Sequence, residues 1–345
     1  MTQLMTLDAY LAAGETNDPR KSATVATIRA MADGCIDIAR RIARGPLEGD
    51  LAAAVGDEGG GDVQKELDVW SNNHLIEALK KAPVGGIASE ELKESLKLGE
   101  GLVAVAMDPL DGSSNIDTNV PVGTIFSIMP MSETGDVDAA FMQPGSMQLA
   151  AGYVIYGPQT TLVLTVGQGT QKFTLDPQTQ TFYLTEPDVT IKPTSNEYAI
   201  NASNYRHWSD GIRSYIDDCI AGEEGPRGAN VNMRWIASLV AEFHRIVTRG
   251  GVFLYPGDAR EGYERGRLRL IYEANPIAFL TEQAGGKAIN GQQRVLDVVP
   301  TAIHQRTPLI FGSTEEIERI ARYKADPNTI FERSPLFGRR GLLRT

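Results

Sequence analysis

The chain has 345 residues, of which 42% are hydrophobic, and its formal net charge is −11 at pH 7. The length allows a large core in one or two domains, and the negative charge argues against nucleic acid as a partner, because phosphate backbones bind dense basic surfaces. No apolar run reaches the roughly 18 to 20 residues that span a bilayer, and no basic and apolar leader opens the chain, so we expect a cytoplasmic protein without a membrane partner.

The N-terminal part predicts two helices separated by a glycine-rich segment. Apolar residues at helical spacing predict a long amphipathic helix over residues 22–42, with Ser22 as its cap. Residues 56–62 include four glycines within six positions, which are costly to order and typical of a lid, although a simple connector is the alternative. A second helix is predicted through residues 67–79 with Asp68 near its start, so Asp62 and Asp68 flank a predicted hinge.

Two short apolar strands, predicted over residues 84–89 and 102–107, each end in acidic residues. Glu90 and Glu91 follow the first strand, and Asp108 and Asp111 follow the second. Adjacent glutamates are commonly surface residues. If the two strands are parallel neighbours, however, four carboxylates meet at one edge of a sheet. Between the strands, a polar stretch that closes at residues 99–101 is predicted to be helical.

The residues after the second strand form a candidate anion site. Pro109 favours an extended conformation for Asp108. Gly112, Ser113 and Ser114 can turn tightly and leave several backbone N–H groups free to bind an anion. Two acids beside such a turn predict metal ions together with a phosphate.

The rest of the chain predicts an antiparallel meander and then a more regular alternation of strands and helices. The meander strands are predicted over 122–131, 149–157, 160–166, 171–175 and 181–184. A segment rich in Pro and Thr near residues 185–197 is the candidate domain boundary, which gives domains of residues 1–192 and 193–345. The second half predicts strands ending at 201 and over 251–255, 268–272 and 309–312, with helices over 208–220, 236–247, 277–280 and 315–323. Glu273 directly follows one of these strands and repeats the pattern of a strand that ends in an acid.

Carboxylates that converge in one cleft repel each other by several kcal/mol at about 4 Å and intermediate dielectric, unless a cation lies among them. Mg²⁺ prefers such oxygen ligands, and two ions about 3.5 to 4 Å apart can clamp the attacking and leaving oxygens of a displacement. The chain lacks GxxxxGK[ST], GxSxG and HExxH motifs, its four histidines show no ligand spacing, and Cys35 and Cys219 are expected to be structural thiols. The sequence therefore predicts metal-dependent phosphoryl chemistry.

The segment from Asp108 to Ser113 resembles the metal motif of the lithium-sensitive phosphatase superfamily, and its extension to Asp117 looks like class I fructose-1,6-bisphosphatase in particular. Further segments stand in that family's order: 61–69, 89–91, 234–245, 251–256, 268–276 and 296–301. The resemblance covers about residues 20–325. It implies hydrolysis of fructose 1,6-bisphosphate to fructose 6-phosphate and phosphate by a Mg²⁺-activated water. It also implies an α/β fold, layered α/β/α/β/α, that assembles as a homotetramer.

The resemblance also implies roles for single residues. Two or more Mg²⁺ ions per subunit, with Mn²⁺ as the alternative, would be held by Glu90, Asp108, the carbonyl of Leu110, Asp111 and Glu273. The pair that orients and deprotonates the attacking water would be Asp68 and Glu91, and Asp62 would engage when its loop closes. Substrate would be bound by Asp111, Gly112, Ser113, Ser114, Asn201, Tyr205, Arg234, Tyr255 and Arg267. The 112–114 turn would take the 1-phosphate in the first domain, and the second domain would hold the sugar and the 6-phosphate, with Arg234 reaching it from a neighbouring subunit.

Several positions depart from the vertebrate pattern of that family. Residues 201–205 are one residue longer, Trp235 stands where tyrosine is usual, and Arg267 replaces a lysine. Indole N–H can donate but not accept, and a guanidinium binds phosphate with a different geometry from an ammonium. The positions that align with the family's AMP site, residues 20–24 and 102–103, also differ. We therefore expect weak or absent AMP inhibition, and no thiol control.

The metal motif leaves two other functions open. The same chemistry could act on sedoheptulose 1,7-bisphosphate, alone or as a second substrate. A non-catalytic sensor of sugar phosphates is a more distant alternative, and it predicts that at least one acid of the metal site or the loop is missing. Every one of those positions carries an acid here.

Overall fold

The computed structural model describes residues 4–14, 17–57 and 63–325. Within these ranges the α-helices are α1 (Leu7–Ala13), α2 (Pro19–Arg44), α3 (Glu66–Leu79), α4 (Val137–Phe141), α5 (Asp210–Ala221), α6 (Leu239–Arg249), α7 (Asn275–Gln283) and α8 (Thr314–Ala325). The first strands are β1 (Ala54–Asp57), β2 (Val63–Lys65), β3 (Val84–Ser89), β4 (Leu96–Lys97), β5 (Val103–Asp111), β6 (Val122–Pro130), β7 (Ala150–Tyr156), β8 (Thr160–Thr165), β9 (Gln171–Asp176) and β10 (Thr181–Glu186). The remaining strands are β11 (Glu197–Ala199), β12 (Asn232–Met233), β13 (Val252–Tyr255), β14 (Leu268–Arg269), β15 (Lys287–Ile289), β16 (Arg306–Thr307) and β17 (Leu309–Gly312).

The predicted long helix is confirmed as α2, but its predicted cap is wrong. Asp18 caps the helix, because its side chain accepts the N–H groups of Arg20 and Lys21. Pro19 then occupies the first helical position, where a missing N–H costs nothing and the fixed φ suits a helix. The helix therefore begins before Ser22, and it ends at Gly45 with φ +50°.

The first sheet has eight strands in the order β10-β9-β8-β7-β6-β5-β3-β4, and its strands from β6 to β10 form the predicted antiparallel meander, which β5 joins as a further antiparallel neighbour. Strands β3 and β5 are parallel neighbours, which is the condition under which the sequence predicts that their acids meet at one edge. The helix predicted between them is wrong. Residues 96–97 form β4, an edge strand paired with β3, and the half-buried Leu96 and Leu98 turn alternate side chains toward the core.

The second sheet has five strands in the order β12-β11-β13-β17-β15. The strand predicted over residues 268–272 is only partly correct, because β14 ends at Arg269 and a π-helical turn follows over Leu270–Ala274. The carboxylate of Glu273 accepts the backbone N–H of Arg269 and closes this turn. The chain passes from the turn directly into α7, so the strand has no room to continue.

The elements stack in five layers. Helices α2 and α3 cover one face of the first sheet through Ile28, Met31 and Leu75. Helices α6 and α7 lie between the two sheets, and α5 and α8 cover the outer face of the second sheet. This order confirms the predicted α/β/α/β/α architecture. None of the helices in the described ranges combines the length and apolar character needed to cross a membrane.

Candidate active site

Strand β5 carries Asp108 and Asp111 at the end of a run that is buried along its whole length. Its register with β6 shifts between Asp108 and Asp111, at the point where Pro109 lacks an N–H for the ladder. The hydroxyl of Thr124 on β6 instead donates to the Pro109 carbonyl at 2.9 Å. This irregularity separates the two aspartates while keeping both in the interior, at 3% and 7% exposed.

Glu273 joins the two aspartates from a distant part of the chain. Carboxylate oxygens of Asp108, Asp111 and Glu273 lie within 4.8 Å of one another, and all three residues are buried. We call these three residues the carboxylate triad. Asp108 and Asp111, two of the four acids that the sequence places at one sheet edge, thus meet Glu273, which lies in the turn after β14 and not at a strand end.

Backbone N–H groups hold each member of the carboxylate triad in place. Leu110 N donates to Asp108 Oδ1 at 3.0 Å, and Val240 N donates to Asp111 Oδ2 at 2.9 Å. The turn that contains Glu273 fixes its carboxylate through Arg269 N. The oxygens are thus oriented before any ligand arrives, as a binding site requires.

Burial raises the pKa of every member of the carboxylate triad. The pKa of Asp111 rises to about 7, and those of Asp108 and Glu273 rise well above their usual range. After burial, the charge of Glu90 is the next cause that raises the pKa of Asp108 and Glu273. Ionised carboxylates that are buried this close together are unfavourable by themselves. Their oxygens suit a hard divalent cation, which would supply a compensating positive charge.

Glu90 and Glu91 lie at the end of β3, beside the carboxylate triad. Glu90 Oε1 is 3.5 Å from Arg269 Nε, and its charge also raises the pKa of Asp111. The charge of Glu91 contributes to the raised pKa of Asp108. The structure thus brings both glutamates into electrostatic contact with the residues that the sequence groups them with.

Asp68 is buried near the N-terminus of α3, at 2% exposed. Its Oδ2 accepts the backbone N–H of Lys65 at 2.8 Å, which caps the helix. Asp62 lies outside the described residues, as does most of the predicted lid. The pairing of Asp68 with Glu91, and the engagement of Asp62 when its loop closes, stay predictions.

The turn after Asp111 has the left-handed conformation that glycine favours. Gly112 has φ +79°, and a Cβ at this position would come within 3.0 Å of Ser238 Oγ. Ser113–Asn115 form a 3-10 turn, and Asn115 Nδ2 donates to the Ala237 carbonyl at 2.8 Å. The turn is therefore fixed from outside while Ser113 and Ser114 remain partly exposed.

A cluster of arginine and tyrosine side chains lies near Tyr255. The guanidinium carbons of Arg260 and Arg267 lie 4.1 and 4.8 Å from the ring centre of Tyr263, and Arg267 Nη1 donates to the Tyr263 hydroxyl at 2.7 Å. Burial raises the pKa of Tyr255, and the charge of Arg267 opposes that rise, while Glu273 adds to it. Tyr255 is therefore within electrostatic range of both Arg267 and Glu273.

Asn201 and Tyr205 belong to a short 3-10 turn after β11. The side chain of Asn201 accepts the N–H of Ser203 at 3.2 Å and caps that turn. The hydroxyl of Tyr205 donates to Asp217 on α5 at 2.7 Å, and the residue is 39% exposed. Both polar groups thus have partners within the chain. The roles of Asn201 and Tyr205 in substrate binding stay predictions.

Arg234 and Trp235 follow β12 and point to different surroundings. The Arg234 side chain is 47% exposed, with its Nε 3.8 Å from Glu197 Oε1. Trp235 stacks on Phe253, with ring centres 6.0 Å apart, and also contacts Tyr255 at 6.5 Å. The indole therefore packs beside Tyr255, while the half-exposed guanidinium of Arg234 lies near Glu197 and donates from Nη1 to the Met233 carbonyl at 3.2 Å.

Two family models match this chain, one over its first half and one over its second. The family model described as "Fructose-1-6-bisphosphatase, N-terminal domain" matches residues 11–187, and the one described as "Fructose-1-6-bisphosphatase, C-terminal domain" matches residues 191–325. The chain belongs to the fructose-1,6-bisphosphatase family.

Relatives within this family match over nearly the whole chain. A fructose-1,6-bisphosphatase class 1 from Methylorubrum populi is 53% identical over 98% of both chains, and one from Azorhizobium caulinodans is 55% identical over 92% of this chain and 99% of its own. The crystal structure of Leishmania major fructose-1,6-bisphosphatase in holo form is 34% identical, with a TM-score of 0.88 over 94% of this chain and 100% of that one. These names give no support to a sedoheptulose bisphosphatase or to a non-catalytic sensor.

Sequence reasoning missed several residues that shape the site of this family member. Arg269 appears in a matching segment but was given no role, although it lies beside Glu90 and anchors Glu273. Tyr263 and Arg260 were not singled out. Their signal was the run of arginines and glycines over residues 257–267, which connects two strands.

Proposed function

We propose that this chain hydrolyses fructose 1,6-bisphosphate to fructose 6-phosphate and phosphate. The observation that carries the proposal is the buried carboxylate triad, in a chain whose relatives are named for this substrate. A second observation favours a substrate with two phosphates. Arg267, held against Tyr263, acts electrostatically on Tyr255, as does Glu273 of the triad, so a positive charge is available near one end of the site.

The proposed cofactor is Mg²⁺, with two or more ions per subunit and Mn²⁺ as the alternative. The donors fit this group, because three buried carboxylates with raised pKa values supply the hard oxygen ligands that such ions prefer. Glu90 and the carbonyl of Leu110 would complete the set. When bound, the ions would supply positive charge that offsets the charge developing on phosphate oxygens.

Residues of this chain would position the reacting water and the departing phosphate. Asp68 and Glu91 would orient the water and accept its proton as it attacks phosphorus in line with O1 of the sugar. Asp62 would complete this arrangement when its segment closes. The N–H groups of Gly112 and the two serines after it would stabilise the phosphate, in keeping with the fixed conformation of that turn.

The second phosphate would bind near Tyr255 and Arg267, with Asn201, Tyr205 and Arg234 as further contacts. Support for Arg267 comes from its stacking on Tyr263, which fixes the guanidinium before substrate arrives. The family resemblance implies that Arg234 acts in a neighbouring subunit, and its side chain is 47% exposed. The family resemblance implies a homotetramer, which is the proposed assembly, and the cytoplasm is the proposed location.

The proposed division of labour follows the boundary near residue 192. Residues 1–192 would bind metal and the 1-phosphate, and residues 193–345 would bind the sugar and the 6-phosphate. Glu273 is the exception, because it comes from the second part and joins the carboxylate triad.

Phosphate release from purified protein tests the proposal. Fructose 1,6-bisphosphate and sedoheptulose 1,7-bisphosphate are compared by kcat/KM with Mg²⁺ and again with EDTA. We expect Mg²⁺-dependent release that favours the fructose substrate. Release that persists in EDTA would overturn the metal mechanism, and a higher kcat/KM for the sedoheptulose substrate would overturn the assigned specificity.

Two variants separate the site from general stability in this assay. Asp108→Asn removes one charge from the carboxylate triad and is expected to abolish most activity. Asp218→Asn is the matched control, because Asp218 is buried to a similar degree, at 4% exposed, but bonds to Tyr323 in the outer helical layer. Equal losses in the two variants would show that burial of an acid, and not its place in the triad, matters.

A further inference from the structure

Glu242 is a buried carboxylate outside the carboxylate triad. It lies in the first turns of α6 and is 1% exposed. Its Oε1 accepts two backbone N–H groups, from Ile236 and from Ala237, the latter at 3.4 Å. A single side chain thus holds the segment that leads into the helix.

That segment, residues 236–240, reaches the active site at two points. At the first, Ser238 Oγ and Val240 N donate to Asp111 Oδ2, at 3.4 and 2.9 Å. At the second, the Ala237 carbonyl accepts from Asn115 Nδ2 at 2.8 Å. The segment therefore supports both a member of the triad and the turn proposed to bind phosphate.

The conformation of the segment is not one that it would hold by itself. Ala237 has φ +64°, in the left-handed region that residues with a Cβ disfavour. Such conformations persist where surrounding contacts determine them, and they gather at functional sites. The two N–H groups bound by Glu242 include that of Ala237, so the carboxylate acts at the strained position.

The charged surroundings of Glu242 are consistent with an anchoring role. Arg245, one turn further along α6, forms a two-point ion pair with Glu197, at 2.8 and 2.7 Å. Burial raises the pKa of Glu242 to about 7, while the two N–H groups and then Arg245 oppose that rise. Whether ionised or protonated, the carboxyl group keeps an oxygen that can accept the two N–H bonds.

We propose that Glu242 is a positioning residue, which fixes the 236–240 segment so that Asp111 stays aimed at the cation. This inference rests on the proposed metal site, and it adds a residue that does not touch the metal or the substrate. Partners that orient metal ligands affect affinity strongly when they are removed.

Direct binding of Mn²⁺ to the metal-free protein, measured by electron paramagnetic resonance, tests this role without relying on activity. We expect Glu242→Ala to bind Mn²⁺ about tenfold more weakly than wild type, in line with the loss of other supporting partners. Glu242→Gln is expected to recover most of the affinity, because its amide oxygen can still accept both N–H groups.

The matched control is Glu316→Ala. Glu316 is a buried glutamate, 5% exposed, that accepts from Tyr215 and Arg227 in the outer helical layer. This variant is expected to melt at a lower temperature but to bind Mn²⁺ as wild type does. If Glu242→Ala fails to fold, Glu242→Leu, which keeps most of the volume but lacks the acceptor, takes its place in the comparison.

The outcomes distinguish this inference from the proposed function. Wild-type affinity in the folded Glu242→Ala or Glu242→Leu variant would overturn the positioning role and leave the metal site intact. A wild-type protein that binds no Mn²⁺ would defeat the metal site itself, and the positioning role with it. Weak Mn²⁺ binding by Glu242→Ala, together with recovered affinity in Glu242→Gln and wild-type affinity in Glu316→Ala, supports both the metal site and the positioning role.

Discussion

Cation binding by the carboxylate triad is expected to weaken steeply as the pH falls below 7. Burial raises the pKa of Asp111 to about 7, in spite of the N–H group of Val240 that lowers it. Burial also raises the pKa values of Asp108 and Glu273. A divalent cation binds the ionised carboxylates, so protons compete with it in the range where these groups titrate.

The contribution of Asp111 alone can be worked out from its pKa. At about pH 5.5 the group is about 1.5 units below that value, and ionising it costs about 2 kcal/mol at about 1.4 kcal/mol for each unit. The dissociation constant for Mg²⁺ should therefore be about 30-fold higher at about pH 5.5 than at about pH 8. Asp108 and Glu273 add to this difference, because their pKa values are also raised.

The accompanying change in stability with pH differs between the metal-free and the metal-bound protein. Since the triad carboxyls have higher pKa values folded than unfolded, the unfolded chain releases these protons first as the pH rises. The metal-free protein thus loses stability as the pH rises from about 4 to about 7. Bound Mg²⁺ stabilises the ionised form, so the rise in melting temperature that Mg²⁺ produces should grow with pH.

Isothermal titration of the metal-free protein with Mg²⁺, at several pH values and corrected for buffer ionisation, measures the dissociation constants. Thermal melting with and without Mg²⁺ gives the second readout, and taking the difference cancels titrating groups that lie outside the site. Asp218→Asn serves as the control and should follow wild type. A dissociation constant that stays the same from pH 5.5 to pH 8 would refute the linkage between burial, proton uptake and metal binding.

Four further outcomes are expected. Burial lowers the pKa of His244 to about 4, so the protein loses stability as the pH falls from about 6.5 to about 4. In urea titrations, the free energy of unfolding of His244→Gln should fall by about 2 kcal/mol less than that of wild type between about pH 7 and about pH 5. In steady-state assays, Tyr263→Ala should raise KM for fructose 1,6-bisphosphate about tenfold with kcat nearly unchanged. Tyr263→Phe should raise KM less, because its ring still supports the guanidinium groups. AMP at millimolar concentration should leave the rate close to its uninhibited value, since Val103 in the aligned position is fully buried in β5; nearly complete inhibition at low micromolar AMP would contradict this. Asp111→Ala should lose metal binding and turnover together, whereas Asp62→Ala should keep substrate binding and lose most of kcat; equal loss of binding in both would refute the lid role of Asp62.

Local patterns were enough to predict most of the first sheet and the acids at its edge. The uninterrupted apolar run of β5 and the shorter run of β3 identify buried strands, whereas the adjacency of the two strands was only a condition that the structure supplies. Once the strands are parallel neighbours, Glu90 comes close to Asp108. The sequence could state this geometry because a single rule, that parallel strands end at the same edge, connects the residues.

The errors arose where a distant partner decided the local structure. Residues 92–101 carry enough polar residues for a helix, but pairing with β3 draws residues 96 and 97 into an edge strand. Residues 268–272 read as a strand until Glu273 folds back onto the N–H group of Arg269. Neither contact has a signature within its own segment, because each depends on where another element lies.

The supporting residues were out of reach for the same reason. Glu242 has the sequence context of an ordinary helical glutamate, and only its burial and its two N–H partners distinguish it. Tyr263 lies in a polar connection whose length predicts a loop and nothing more. Resemblance to a family supplies the residues that touch substrate, whereas residues that orient them become visible only in the folded structure.

The second half of the chain completes a site that the first half only begins. Asp111 belongs to β5 in the first sheet, yet the groups that hold its carboxylate, Ser238 and Val240, stand at the start of α6. Helix N-termini favour negative charge, so this contact offsets part of what burial costs Asp111. Glu273 also comes from the second half. The triad is therefore assembled when the middle helical layer packs onto the first sheet, which ties the geometry of the metal site to the packing of the whole fold.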